Sequence, residues 1–137
     1  MKIAFTNDNR TILAKSISVL TRSEWTHCEA VFSDGTWISS HPSRKGVYSW
    51  VNDDESQWKV IEVDCKWEES AKFYAECIVG DKYDYLGAAR TVVPVLPNSP
   101  DRWFCSELCA CILTVGGVKL KSNPARYSPG LLLKELL

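Results

Sequence analysis

Cysteine and histidine are the residue types in this chain that can together form a nucleophile near neutral pH. The best-placed cysteine is Cys105, within Trp103-Phe104-Cys105-Ser106-Glu107-Leu108. The stretch before it, Val92 to Arg102, carries Pro94, Pro97 and Pro100 and excludes regular helix. The stretch after it, Ser106 to Val115, is apolar and stops at Gly116-Gly117, which predicts a buried helix. Cys105 then falls in the first helical turn. Unpaired amides and the positive end of the helix dipole there favour thiolate over thiol.

His27 supplies the imidazole, on a strand-like segment far upstream. Side chains on a strand alternate, so Glu29 shares its face and Cys28 points the other way, into the core. A carboxylate beside an imidazole holds the ring and raises its pKa. The only other histidine is His41, which shares a face with Ser39 and precedes Pro42. Glu29, Ser39 and His41 are therefore the candidates for the group that orients His27. Ser106 can offer an amide or a hydroxyl near Cys105. Glu107 complements the helix dipole. Trp103 and Tyr83 either line a substrate cleft or cover the core.

The elements that must position these residues can be read from the pattern. Lys2 to Thr6 reads as a strand, and Asn9 to Leu20 as a helix with Ile12, Leu13, Ile17 and Leu20 at helical spacing. Asp34-Gly35 separates two β-rich runs, 26–33 and 36–40, as a hairpin. Gly46 to Val51 and Trp58 to Asp64 read as strands around a polar turn. A helix follows over Glu68 to Val79, ended by Gly80. Tyr83 to Arg90 reads as a short helical segment and Val118 to Lys121 as a strand. The last helix has Ser128 as N-cap and Pro129 at its first position. The expectation is one α+β domain spanning residues 1–137, an antiparallel sheet packed with helices.

Composition narrows the function classes. The chain has 137 residues, 45% hydrophobic and 24% charged, which suits one globular domain. Its net charge of −1, without a basic block, argues against nucleic-acid binding. No signal peptide and no bilayer-spanning run is read, so a cytoplasmic location and free thiols are expected. Of the six cysteines, Cys65, Cys77, Cys109 and Cys111 read as small buried hydrophobes. No CxxC pair exists, and no metal or cofactor is expected.

Thr26-His27 on a strand, the Asp-Gly hairpin, Gly46-Val47, Lys82-Tyr83-Asp84 and Trp103-Phe104-Cys105-Ser106-Glu107 together resemble the circularly permuted papain-like fold. This is the NlpC-like superfamily, in which histidine precedes cysteine. The closest branch looks like the YiiX-like cysteine hydrolases and their phage-encoded relatives, and Tyr127-Ser128-Pro129-Gly130-Leu131-Leu132 also resembles that branch. The resemblance runs from about Thr26 to the C-terminus. It implies Cys105 as nucleophile and His27 as base. In related lecithin–retinol acyltransferase-like proteins the third position is a histidine twelve residues on. Here that slot is Ser39, leaving Glu29 or His41 to serve. Glu29 is placed first, because a carboxylate stabilises an imidazolium better than a hydroxyl does.

The expected function is a peptidase, amidase or acyl-transfer reaction on a peptide, amide or acyl substrate. The amide of Cys105 would help to hold the oxyanion. Two alternatives stand beside it. One is a non-catalytic binding module on the same fold, motivated by the missing histidine at position 39. The other, weaker one is a thiol redox or metal protein, motivated by the number of cysteines.

Overall fold

Alternation along the strands sorts their side chains onto two faces of one sheet. The strands are β1 (Lys2–Thr6), β2 (His27–Val31), β3 (Thr36–His41), β4 (Gly46–Val51), β5 (Lys59–Glu62), β6 (Lys82–Tyr83) and β7 (Arg102–Trp103). Their order across the sheet is β5-β1-β2-β3-β4-β6-β7. Every pairing is antiparallel except β6 with β7. The structure, a computed structural model, describes residues 1–93 and 95–137, with the backbone alone at Ala88. Pro94, one of the three prolines before Cys105, lies outside the described residues.

One face carries Ile3, Phe5, Cys28, Ala30, Ile38 and Val47 into the main core. The helices α2 (Glu68–Cys77), α4 (Cys105–Val115) and α5 (Pro129–Leu136) supply most of the rest, joined by Ile17, Phe32, Tyr83, Phe104 and Tyr127. Helix α4 lies against β2 and β3 and packs on α2. Its buried residues include Cys105, Ser106, Glu107, Leu108, Cys109 and Ile112, as expected of a helix apolar nearly all round. The opposite face holds a smaller cluster of Ala4, Val31 and Trp37 with Trp50, Trp58 and Val60. The register is consistent with both groups, since Ala30 faces Ile38 and Val31 faces Trp37.

The chain is thus a single α+β domain with a mostly antiparallel sheet. Several elements differ from the sequence expectation. Helix α1 (Ile12–Thr21) starts later than Asn9, because the Thr11 side chain caps it by accepting from the Ala14 amide at 3.1 Å. Of its apolar residues only Ile17 is buried, and Ile12 is 86% exposed. The helical segment after Tyr83 shrinks to α3 (Gly87–Arg90), and Tyr83 itself belongs to β6. Val118 to Lys121 forms no strand. The Val118 amide closes α4 on the Leu113 carbonyl, and the Lys121 amide donates to Glu135 of α5, so neither joins a ladder. Among the cysteines, Cys109 is buried, Cys65 and Cys111 are half-buried and Cys77 is exposed.

Candidate functional site

The site forms where the sheet opens. Strands β2 and β3 pair at Ala30–Ile38 and Val31–Trp37. Towards His27 a side chain stands in for the ladder, as the Ser39 hydroxyl donates to the Cys28 carbonyl at 2.6 Å. The N-terminus of α4 meets this end of β2. Its approach is fixed by β7, whose Trp103 carbonyl accepts from the Ser40 hydroxyl at 2.8 Å and from the Asp84 amide at 3.0 Å. The result brings Cys105 to His27 and Cys28.

Cys105 is 1% exposed. Burial resists charge on its sulfur. The Cys28 thiol, the His27 imidazolium and the Cys28 amide together outweigh that resistance and hold the Cys105 thiol well below its ordinary pKa. The Cys28 thiol is pushed up, by burial first and then by its contacts with Cys105 and Cys109. For His27, burial favours the neutral ring, yet Cys105 and then Glu29 raise its pKa to about 10. Both shifts favour a thiolate facing an imidazolium.

Glu29 is 2% exposed and fully engaged. It accepts from the Tyr48 hydroxyl at 2.6 Å and the Trp50 indole at 2.7 Å, and it meets His27 Nε2 at 3.2 Å. Burial alone would raise its pKa, but His27, Tyr48 and Trp50 lower it. With Nε2 of His27 held by Glu29, Nδ1 is the nitrogen left for the sulfur. Cys105, His27 and Glu29 thus form a connected row, with Tyr48 and Trp50 anchoring its far end.

A cavity of about 730 Å³ opens beside this row. Its walls include His27, Glu29, His41, Tyr48 and Tyr83, with residues of α1 and the loop before it opposite. Four of these wall residues, His27, His41, Tyr48 and Tyr83, are in electrostatic contact with Cys105. His41 stands edge-to-face on His27, with ring centroids 5.1 Å apart.

The remaining sequence candidates lie elsewhere. The Ser39 hydroxyl is committed to the Cys28 carbonyl and does not reach the imidazole row. Ser106 is fully buried and donates to the Tyr127 carbonyl at 2.5 Å, tying α4 to the segment before α5. Trp103 packs on Tyr74 of α2 and donates to Asp81 at 2.9 Å, outside the cavity wall. Glu107 does more than complement the dipole. It meets Arg90 at 3.4 Å and accepts from Asn98 at 3.2 Å, while Arg90 also pairs with Asp84 at 2.6 Å. Burial raises the pKa of Glu107, against the pull of Arg90. Sequence reading missed Tyr48, Trp50 and the contact of Cys28 with Cys105. The local pattern puts Tyr48 and Trp50 on one face of β4, but that they serve the buried Glu29 is set by the register across β3.

Compared with known proteins, the chain matches no family model, and no curated protein is significantly similar to it.

Proposed function

We propose that this protein is a cysteine hydrolase or acyl-transfer enzyme of the permuted papain-like type. Cys105 is the nucleophile, His27 its proton partner and Glu29 the orienting carboxylate. The observation that carries the reading is the buried Glu29, bonded to His27 Nε2 and fixed by Tyr48 and Trp50. A carboxylate 2% exposed is costly to bury, and its arrangement suits the task of holding an imidazolium beside a thiolate. The order of elements, histidine strand before cysteine helix, supports the permuted assignment.

In the reaction the Cys105 thiolate attacks the carbonyl carbon of an amide, ester or thioester. The His27 imidazolium gives its proton to the leaving group, and a water or amine then releases the acyl group. The substrate is a peptide, amide or acyl compound that enters from the cavity side.

The test is site-resolved iodoacetamide labelling against pH, in the wild type and His27→Ala. The expected result is fast alkylation of Cys105 well below the free-thiol pKa of about 8.5, slowed by the substitution. Slow labelling, unchanged in His27→Ala, rejects the reading. One observation favours a second reading, a binding module without turnover: Cys105 is 1% exposed. Slow labelling of folded protein, made fast only by denaturant, is the outcome that reading expects.

A further inference from the structure

An attacking thiolate drives an electron pair onto the carbonyl oxygen, so an acyl-transfer site needs donors where that charge develops. The start of α4 offers backbone amides. Phe104, its N-cap, makes no side-chain cap, and first-turn amides lack intrahelical acceptors. The Phe104 amide itself is taken by Glu107. The amide of Cys105 is thus one donor beside its own sulfur, and a second has to come from another element.

His41 has the chemistry for it. It ends β3, and its ring caps the 3-10 turn Pro42–Arg44. Nδ1 accepts the Ser43 amide at 3.2 Å and lies 2.7 Å from the Ser43 hydroxyl. A backbone N–H can only donate, so Nδ1 carries no proton, and the neutral ring must carry its proton on Nε2. Nε2 has no acceptor among the described residues. The ring lines the same cavity as His27 and Glu29 and stands nearly perpendicular to the His27 ring, at 84°. Burial and the neighbouring His27 charge favour the neutral form, against weaker opposing pulls from Cys105 and Glu29. His41 is not needed to orient His27, whose Nε2 already meets Glu29.

We propose that the Nε2–H of His41, together with the Cys105 amide, receives the carbonyl oxygen of the acyl substrate. The inference rests on Cys105 being the nucleophile, and its test separates the two claims.

Two reagents report on one sulfur. With 4-nitrophenyl acetate, the S–C bond forms and an electron pair moves to the carbonyl oxygen. It then returns as the C–O bond to 4-nitrophenolate breaks, and that leaving group needs no proton. Iodoacetamide loses iodide from a saturated carbon and puts no charge on oxygen. His41→Phe keeps a ring without the donor, and His41→Gln restores an N–H. Acylation and alkylation of Cys105 are followed by mass spectrometry at one pH, with circular dichroism verifying each fold. His41→Leu replaces the Phe variant if that one is unfolded. The expected result is about 100-fold slower acylation in His41→Phe, partial recovery in His41→Gln, and unchanged alkylation in both. Equal loss in both reactions, or no loss in either, overturns the role of His41. If wild-type Cys105 alkylates no faster than a free thiol, the nucleophile assignment fails first, whatever His41 does.

Discussion

Glu29 is the residue on which the charge balance of the site turns. Its carboxylate meets His27, and His27 in turn holds the Cys105 thiolate. Glu29→Gln removes the charge and keeps one acceptor oxygen, for Tyr48 or Trp50 but not both. The expected outcome is a higher Cys105 pKa and slower alkylation at mildly acidic pH, while folding survives. The pH window has two edges. His27 has a folded pKa raised to about 10 from 6.5, so its contribution to stability is full below 6.5 and is lost as pH rises through about 10. The Cys105 value is lowered, so its contribution is present above the ordinary thiol value and is lost as pH falls through the lowered one. Alkylation of Cys105 should therefore rise along an acidic limb and reach its plateau below about pH 8.5. Turnover that needs the imidazolium proton should decline again near pH 10. A pH–rate profile with a single limb near the free-thiol value would contradict both edges. Of these residues, Cys105, His27 and Glu29 were legible from type and local spacing. Tyr48 and Trp50 were not, because their partner lies on a strand that only the register brings near.

At the scale of elements, the start of α4 is held from several sides. Arg90 on α3 pairs with Asp84 after β6 and with Glu107 on α4, all three being buried. Arg90→Met leaves two buried carboxylates without their cation, and a loss of about 3–5 kcal/mol is expected from urea unfolding at pH 7. The loss should shrink in acid, where Glu107, whose pKa burial raises, takes up a proton. Gly87 is a second support. A Cβ there would stand 2.2 Å from the Cβ of Phe104, the N-cap of α4. Gly87→Ala should therefore displace the helix start and slow Cys105 alkylation more than it lowers the unfolding midpoint. Helix α4 was legible because a long apolar run with a double-glycine stop is a local signal. The two-residue strands β6 and β7 were not, since pieces so short carry no period, and their parallel pairing joins residues on either side of the proline-containing loop. Val118 to Lys121 misled for the converse reason. Its composition suits a strand, but its amides are spent closing α4 and meeting α5.

For the whole molecule, the two faces of the sheet serve different ends. The helix-covered face holds the main core, and the other face holds the tryptophans behind the site. Trp37 is 1% exposed and packs edge-to-face on Trp50 at 5.8 Å and Trp58 at 5.2 Å. Trp50 is also a donor to Glu29. Trp37→Ala should cost about 3–5 kcal/mol in denaturant unfolding and should loosen the Glu29 anchor, visible as slower Cys105 alkylation in the folded variant. A variant that loses stability but keeps wild-type labelling would separate the two roles. Among the described residues, no helix is long and apolar enough to cross a membrane.

By itself the sequence determined the local placements: Cys105 in the first turn of a buried helix, His27 and Glu29 on one strand face, and a hairpin between β2 and β3. These follow from periods of 3.6 and 2, and from glycine and proline stops, which act over a few residues. The tertiary structure alone decided that β2 and β3 part near His27, that Cys105 lies against Cys28 as well as His27, and that Ser39 is committed to a backbone carbonyl. It also decided that Tyr48 and Trp50 hold Glu29. Each of these depends on strand register and on the path of the chain from β6 to α4. Both are set by packing between distant segments, and no local pattern encodes them.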